Sequence, residues 1–190
     1  MLTPNCRGHG ASGGDLNTFG VRERSDLALW ARWMRGREGV TWLYGLGESM
    51  GAAILLQSVD EFDAVVAEAS FATFRQIALY RVTQRTGAPE WTTAPLVESG
   101  LLYARLRYGV DLRTASPIDH LRRTRVPVLL IQDLADRNVP VGQAQELAAG
   151  DPRAALWLVQ GAGHTGAIAA QPCVMQRRVL GWFQSANSNQ

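Results

Sequence analysis

TWLYGLGESMGAAILL, residues 41–56, is the stretch that decides the fold. An apolar, strand-like run at residues 41–46 leads into Gly47-Glu48-Ser49-Met50-Gly51, and small and aliphatic residues typical of a helix follow. A serine that attacks a carbonyl must project from a tight strand-to-helix turn, and glycines two residues before and after it relieve the crowding there. The first N–H groups of the helix can stabilise an oxyanion. The stretch therefore predicts that Ser49 is a nucleophile; the simpler alternative is a glycine-rich turn.

The composition of the chain is that of an ordinary globular protein. Its 190 residues are 46% hydrophobic and 19% charged, which suits one domain with a substantial core. All 19 basic residues are arginine. A Walker phosphate loop, a pyridoxal Schiff base and a Ser–Lys dyad each need a lysine, so these sites are excluded. The net charge is only +2 and the arginines are scattered, so we expect no nucleic-acid partner.

Cysteines and histidines are too few and too dispersed for a metal site or a disulfide framework. There are two cysteines and three histidines, with no metal-ligand spacing among them. No apolar run approaches the ~20 residues that a membrane-spanning helix needs. We therefore expect no metal or other cofactor, and a small molecule or peptide as the substrate.

Strand-like and helix-like segments alternate along the chain. Strands are predicted at residues 41–46, 64–68, 126–132 and 154–159, after a short extended fragment at residues 2–4. Helices are predicted at residues 22–37, 50–58 and 141–149, and at the end of the chain from the spacing of Met175, Val179, Trp182 and Phe183. This alternation indicates an α/β fold, a mostly parallel sheet flanked by helices. The polar tail, residues 185–190, is predicted to be disordered.

Residues 71–121 interrupt the alternation. They contain two helical patches, residues 74–81 and 96–108, separated by Gly87, Pro89 and Pro95. A helical insertion rich in aromatic residues would suit a cap over an active site. Packing against the sheet without covering a site is an equal alternative.

A nucleophilic serine needs a histidine as its base. His164 follows the last predicted strand on a glycine-rich loop, from which an imidazole can project into a cleft. His120 precedes a strand in a position typical of the surface or of a helix cap, and His9 lies in an N-terminal glycine loop. His164 is therefore the predicted base.

The histidine in turn needs an acid that orients it. Asp136 lies in the loop after the strand at residues 126–132, while its rival Asp133 lies directly at the strand end and has less reach. We predict that Asp136 is the acid. The order Ser49, Asp136, His164, each after a separate strand, is the order expected of α/β-hydrolases.

The chain resembles the α/β-hydrolases of the serine aminopeptidase and Bem46-like group over almost its whole length. The segments that carry the resemblance are residues 7–14, 47–51, 127–131 with Asp136 and Val139-Pro140, and 161–164. The resemblance implies that Ser49 is the nucleophile, His164 the general base and then acid, Asp136 its orienter, and that the N–H of Met50 donates to the oxyanion. The chain departs from the group at Asn5, where aspartate is frequent, and at Gln132-Asp133, where His-Gly is usual. Neither departure is expected to touch the triad.

The glycine loop also contains a competing motif. Residues 8–13 match Gly-x-Gly-x-x-Gly, but that fingerprint binds a dinucleotide only where its last glycine opens a helix. Six further residues, 15–20, precede the predicted helix, so we expect no nucleotide cofactor.

The resemblance also implies that strands precede this chain. If residues 2–5 end the fourth strand of the family's sheet, order 1-2-4-3-5-6-7-8, the first three strands lie upstream of Met1. We therefore expect a single partial domain, residues 1–190, the C-terminal two-thirds of a longer hydrolase, with residues 71–121 as a helical cap insertion within it. An open apolar sheet edge would favour self-association. A targeting or anchor segment upstream would leave localisation open.

The expected function is that of a serine hydrolase that cleaves esters or amides through an acyl-enzyme. The alternative is a catalytically incomplete fragment or a non-catalytic binding module, because the family's second oxyanion donor lies after its third strand. Losing one such donor typically costs roughly 100- to 1,000-fold in turnover.

Overall fold

The computed structural model describes residues 1–14 and 16–188, the last of these by its backbone alone. Its strands are β1 (Tyr44–Glu48), β2 (Ala64–Glu68), β3 (Val128–Asp133) and β4 (Ala155–Val159). Its helices are α1 (Glu23–Arg35), α2 (Met50–Leu56), α3 (Phe74–Thr86), α4 (Glu90–Tyr108), α5 (Pro117–Leu121), α6 (Val141–Gly150), α7 (Ala167–Ala170) and α8 (Pro172–Ser188). The predicted strands and helices are each found within a few residues of the expected bounds.

The four strands form one parallel sheet in the order β1-β2-β3-β4. Tyr44 pairs with Ala64, Val65 with Val128, and Leu129 with Ala155. All four carboxyl ends therefore lie along the same edge of the sheet, where ligands bind in open α/β sheets. The predicted parallel α/β fold class is confirmed.

Helices cover both faces of the sheet, which explains the continuous apolar runs of the central strands. Every residue of β2 and β3 is buried. Alternate side chains point to opposite faces, so Val65 and Leu130 pack with α2, α5 and α6, while Val66 and Ile131 pack with α8. The sheet is thus a rigid base for the loops at its carboxyl edge.

The segment at residues 71–121 contains α3, α4 and the short α5. Thr73 caps α3 through its side chain, and Gly87 ends it with a φ of 66°. Residues 90–95 were expected to separate two helices, but α4 begins at Glu90 and continues through Pro95. Burial of Thr93, Val97 and Leu101 against α3 offsets the hydrogen bond that the proline removes. The role of this segment as a cap stays a prediction.

The predicted extended fragment at residues 2–4 does not form a strand. Leu2 is 38% exposed, and the part of the sheet that the structure describes has β1 as its edge. A short segment without a ladder partner has nothing to hold it extended, and Pro4 supplies no N–H. Leu46 of β1 and Trp30 of α1 are 50% and 40% exposed beside this edge.

The polar tail was predicted wrongly as disordered over residues 185–188. These residues complete α8, where Ala186 is buried and the Tyr44 hydroxyl donates to Asn187 Oδ1. Residues 189 and 190 lie outside the described part of the chain. Between residues 1 and 188, Asp15 apart, no helix has the length and hydropathy to cross a membrane.

Candidate active site

Ser49 lies on the turn between β1 and α2, at the carboxyl edge of the sheet. Its φ of 52° and ψ of −117° are strained for a residue with a side chain, and its N–H donates to the carbonyl of Glu68 at 2.8 Å. A Cβ at Gly47 would lie 2.7 Å from the backbone oxygen of Gly51, so only glycine fits there. A Cβ at Gly51 would meet nothing within 4 Å. The expectation that both glycines relieve crowding holds for Gly47 alone.

His164 connects the serine to a carboxylate. Its Nε2 lies 2.8 Å from Ser49 Oγ, and its Nδ1 lies 2.8 Å from Asp136 Oδ2. An ionised carboxylate only accepts hydrogen bonds, so Nδ1 carries the proton and Nε2 is free to accept from the serine hydroxyl. This tautomer lets the imidazole take the serine proton.

Asp136 is held from several sides in the loop after β3. Its side chain is fully buried, and Oδ1 accepts the N–H groups of Asn138 and Val139 at 2.7 and 3.0 Å. Gln132 Nε2 lies 3.5 Å from Oδ2 and donates to the carbonyl of Val139 at 3.0 Å. The expectation that Gln132 does not touch the predicted triad is therefore wrong for this side chain, because β3 ends one residue later and turns its amide towards Asp136.

The other candidates for the acid and for the base do not contact the pair formed by Ser49 and His164. Asp133, at the end of β3, accepts a hydrogen bond from the N–H of Gly166 rather than from the His164 ring. His9 Nδ1 is 3.0 Å from the carbonyl of Arg7, and His120 Nε2 is 3.4 Å from Arg24 Nη1. Burial and the nearby Arg24 lower the pKa of His120. Thus, of the three histidines, His164 is the one beside Ser49.

Glu68 is a site residue that sequence reasoning missed. It ends β2, is completely buried, and accepts the N–H of Ala167 at 3.1 Å. Burial, with Asp133 and Glu48 nearby, raises its pKa to about 7. An acid that ends an apolar strand next to the predicted site was the signal that could have found it.

A cavity of about 230 Å³ opens beside Ser49. Phe71 and Phe74 line it with Ile77 of α3 and Val139 of the Asp136 loop. The lining is mainly apolar, with Arg81 as its charged member. The cavity is adjacent to Ser49 and to Met50. Met50 is the first residue of α2, and the N–H of Met50 therefore has no partner within the helix.

The glycine loop at residues 8–14 closes on itself. His9 N–H donates to the carbonyl of Cys6, Ser12 N–H to His9 and Gly8 N–H to Gly13, each at 3.0 Å. The next helix begins only at Glu23, so the loop presents no helix N-terminus to a ligand. Across residues 1–14 and 16–188, no cluster of three or more histidine, cysteine or acidic side chains could hold a metal ion.

Comparison with known proteins finds similarity to α/β-hydrolases. The family model for TAP-like proteins, of the α/β-hydrolase type, matches residues 105–189. The uncharacterised protein YqkD of Bacillus subtilis (strain 168) is 30% identical over 153 residues, which are 77% of this chain and 49% of that protein. The chain thus spans about half the length of this curated relative.

Solved structures share the fold. The Pyrococcus furiosus esterase Pf2001 superposes with a TM-score of 0.71 at 23% identity, over 95% of this chain and 68% of that one. A puromycin-hydrolysing peptidase of Mycobacterium tuberculosis superposes with a TM-score of 0.66 at 21% identity, over 89% of this chain and 26% of that one. At these identities the likeness is one of fold.

Proposed function

We propose that this chain, which has the α/β-hydrolase fold, is a serine hydrolase that cleaves ester or amide bonds through an acyl-enzyme. The observation that carries this proposal is the continuous chain of 2.8 Å contacts from Ser49 through His164 to Asp136. The three side chains come from loops at the carboxyl ends of three strands, and their contacts give the serine a base and the base an acid that orients it.

The proposed reaction begins when Ser49 Oγ attacks the substrate carbonyl. His164 Nε2 takes the hydroxyl proton, and the buried Asp136 carboxylate stabilises the imidazolium that forms. The N–H of Met50 donates to the oxyanion of the tetrahedral intermediate. His164 then gives the proton to the leaving group. In the second half of the reaction His164 activates a water molecule, which hydrolyses the acyl-enzyme and releases the acid.

The apolar cavity beside Ser49 supports a substrate with an apolar group next to the scissile bond. Phe71, Phe74 and Ile77 can remove such a group from water, which favours binding in proportion to the area buried. An esterase and a peptidase among the structures of the same fold support the reaction class without choosing between esters and amides.

A fluorophosphonate probe tests the proposal on the purified chain. Ser49 Oγ should displace fluoride and become phosphonylated, whereas Ser49→Ala and His164→Gln should remain unlabelled. Ser70→Ala is the matched control, because Ser70 also follows a strand at this edge but donates only to the carbonyl of Phe71. If a sample that unfolds cooperatively is not labelled, the proposal is wrong and a non-catalytic binding module is favoured.

A further inference from the structure

Two buried carboxyl groups lie next to the triad without belonging to it. Glu68 ends β2 and Asp133 ends β3, and the two residues are 0% and 1% exposed. β2 and β3 are neighbours in the parallel sheet, which brings these ends together. No ion pair within residues 1–14 and 16–188 involves either group. An unpaired buried charge is costly, so burial favours the neutral, protonated form of these carboxyl groups.

The four carboxyl oxygens divide into two pairs. Glu68 Oε1 accepts the N–H of Ala167 at 3.1 Å, and Asp133 Oδ2 accepts the N–H of Gly166 at 3.4 Å. Glu68 Oε2 and Asp133 Oδ1 are buried and find no donor in the described part of the chain. Ionised carboxylates only accept hydrogen bonds, so a proton on one of the two groups would supply the donor that these buried oxygens lack.

The surroundings favour keeping that proton near neutral pH. Burial raises the pKa of Glu68 to about 7 and also raises the pKa of Asp133. The titratable groups that face the pair are Glu48 from β1, Asp136 from the loop after β3, and His164 from the loop after β4. α2 and α7 contain no titratable side chain, and the arginines of α8 are exposed. The carboxylates around the pair oppose its full ionisation.

The two N–H groups that the pair accepts belong to the loop of the proposed base. Gly166 and Ala167 follow His164 after a single residue, Thr165, whose φ of 53° is strained for a β-branched side chain. A Cβ at Gly166 would lie 2.9 Å from the carbonyl oxygen of Gly163, so the turn is tight. The hydrogen bonds to the pair connect this strained turn to β2 and β3, beside the packing of Ala167 on Val66 and Ile131. The N–H of Gly166 also donates to the carbonyl of Gly163 within the turn, at 3.0 Å.

We propose that Glu68 and Asp133 are positioning residues that share one proton, fix the amides of Gly166 and Ala167, and thereby keep the His164 imidazole aligned between Ser49 and Asp136. The effect of this positioning on catalysis rests on the proposed function. When the shared proton is lost, two carboxylates face each other beside the charged Asp136. Their repulsion weakens the hold on the loop, and the histidine loses its alignment.

Two variants of Glu68 separate positioning from mere packing. Glu68→Gln replaces the shared proton with an amide N–H and keeps an oxygen for Ala167, whereas Glu68→Leu removes both. Misplacing a catalytic group by about 1 Å can cost on the order of 100-fold, so Glu68→Leu should lower kcat by about 10- to 100-fold with little change in KM. Glu68→Gln should recover most of this loss. Asp151→Asn, a buried carboxyl before the opposite end of β4, should leave activity unchanged.

The pH dependence of the full chain gives the decisive contrast. Wild-type kcat should decline as pH rises through about 7, and Glu68→Gln should show no such decline. In 15N NMR spectra the amides of Gly166 and Ala167 should titrate with a midpoint of about 7 in the wild type and stay unchanged in Glu68→Gln. Amides that titrate equally in both proteins, or in neither, would overturn the proposal.

The NMR measurement does not depend on activity, so the two proposals fail separately. If the amides respond as expected but Ser49 is not labelled by the fluorophosphonate, the hydrolase function alone is wrong. If the wild type is labelled and active while Glu68→Leu keeps the wild-type kcat, the positioning role alone is wrong.

Discussion

The tautomer of His164 depends on the atom opposite its Nδ1. Asp136 offers an ionised oxygen at 2.8 Å, so Nδ1 carries the proton and Nε2 accepts from Ser49. In Asp136→Asn the side-chain oxygen can still accept the N–H groups of Asn138 and Val139. The amide nitrogen then faces Nδ1 and donates to it, which forces the proton onto Nε2.

Asp136→Asn should therefore lower kcat by on the order of 10³- to 10⁴-fold while leaving the fold intact. The measurement is the hydrolysis of an activated ester, or the rate of fluorophosphonate labelling, in samples with equal melting temperatures. Asp133→Asn is the matched control and should cost far less, because Asp133 does not contact the His164 ring. An equal loss of kcat in both variants would contradict the assignment of Asp136 alone as the acid and would favour Asp133 again.

Much of this candidate site could be predicted at the level of single residues. Ser49, His164 and Asp136 each follow a separate strand, and parallel strands bring their carboxyl ends to one edge. Glu68 could not be assigned in this way, because its proton sharing depends on Asp133, which is 65 positions away and becomes its neighbour only when β2 and β3 pair. The contact of Gln132 with Asp136 depends likewise on where β3 ends.

At the scale of elements, the turn from β1 to α2 tolerates a side chain at one glycine and not at the other. A Cβ at Gly47 would lie 2.7 Å from Gly51 O and 2.8 Å from Ala52 N, both of which are backbone atoms. Gly47→Ala should destabilise the protein by about 1–3 kcal/mol and displace Ser49, which would abolish fluorophosphonate labelling. Chemical denaturation and labelling measure the two effects.

Gly51→Ala is the control for this prediction. Its Cβ would enter open space and its position is helical, so stability should stay the same or rise by up to about 1 kcal/mol. Labelling should persist. If Gly51→Ala destabilised the chain as much as Gly47→Ala, the turn would be sensitive to any change in backbone freedom and not to the close approach at Gly47.

Element bounds were predicted where hydrophobic periodicity is strong and missed where tertiary packing decides. β2 was predicted residue for residue, because a buried parallel strand is a continuous apolar run. Pro95 marks a helix boundary by local rules, yet α4 passes through it because Val97 and Leu101 pack on α3. The end of α8 is polar and is helical because it packs against β1, where Tyr44 stacks on Phe183.

At the scale of the whole molecule, the shared proton couples folding to pH. In the unfolded chain Glu68 has an ordinary pKa of about 4.5, whereas in the folded chain its pKa is about 7. Between these values the folded state holds a proton that the unfolded state has released. The stability that this proton provides is complete below about pH 4.5 and is lost as pH rises through about 7. The raised pKa of Asp133 acts in the same direction.

The melting temperature of wild type relative to Glu68→Gln isolates this effect, because His120, whose lowered pKa acts in the opposite direction, is present in both. One pKa unit is ~1.4 kcal/mol, and for a chain of this size each kcal/mol is roughly 2–4 °C. From pH 5 to pH 8 the wild type should therefore lose roughly 5–10 °C relative to Glu68→Gln. Asp151→Asn, which removes a different buried carboxylate, one that pairs with Arg153, is the matched control. If the difference in melting temperature between wild type and Glu68→Gln did not vary with pH, the folded pair would hold no proton that the unfolded chain lacks. A shared proton would then not explain how the loop of His164 is positioned.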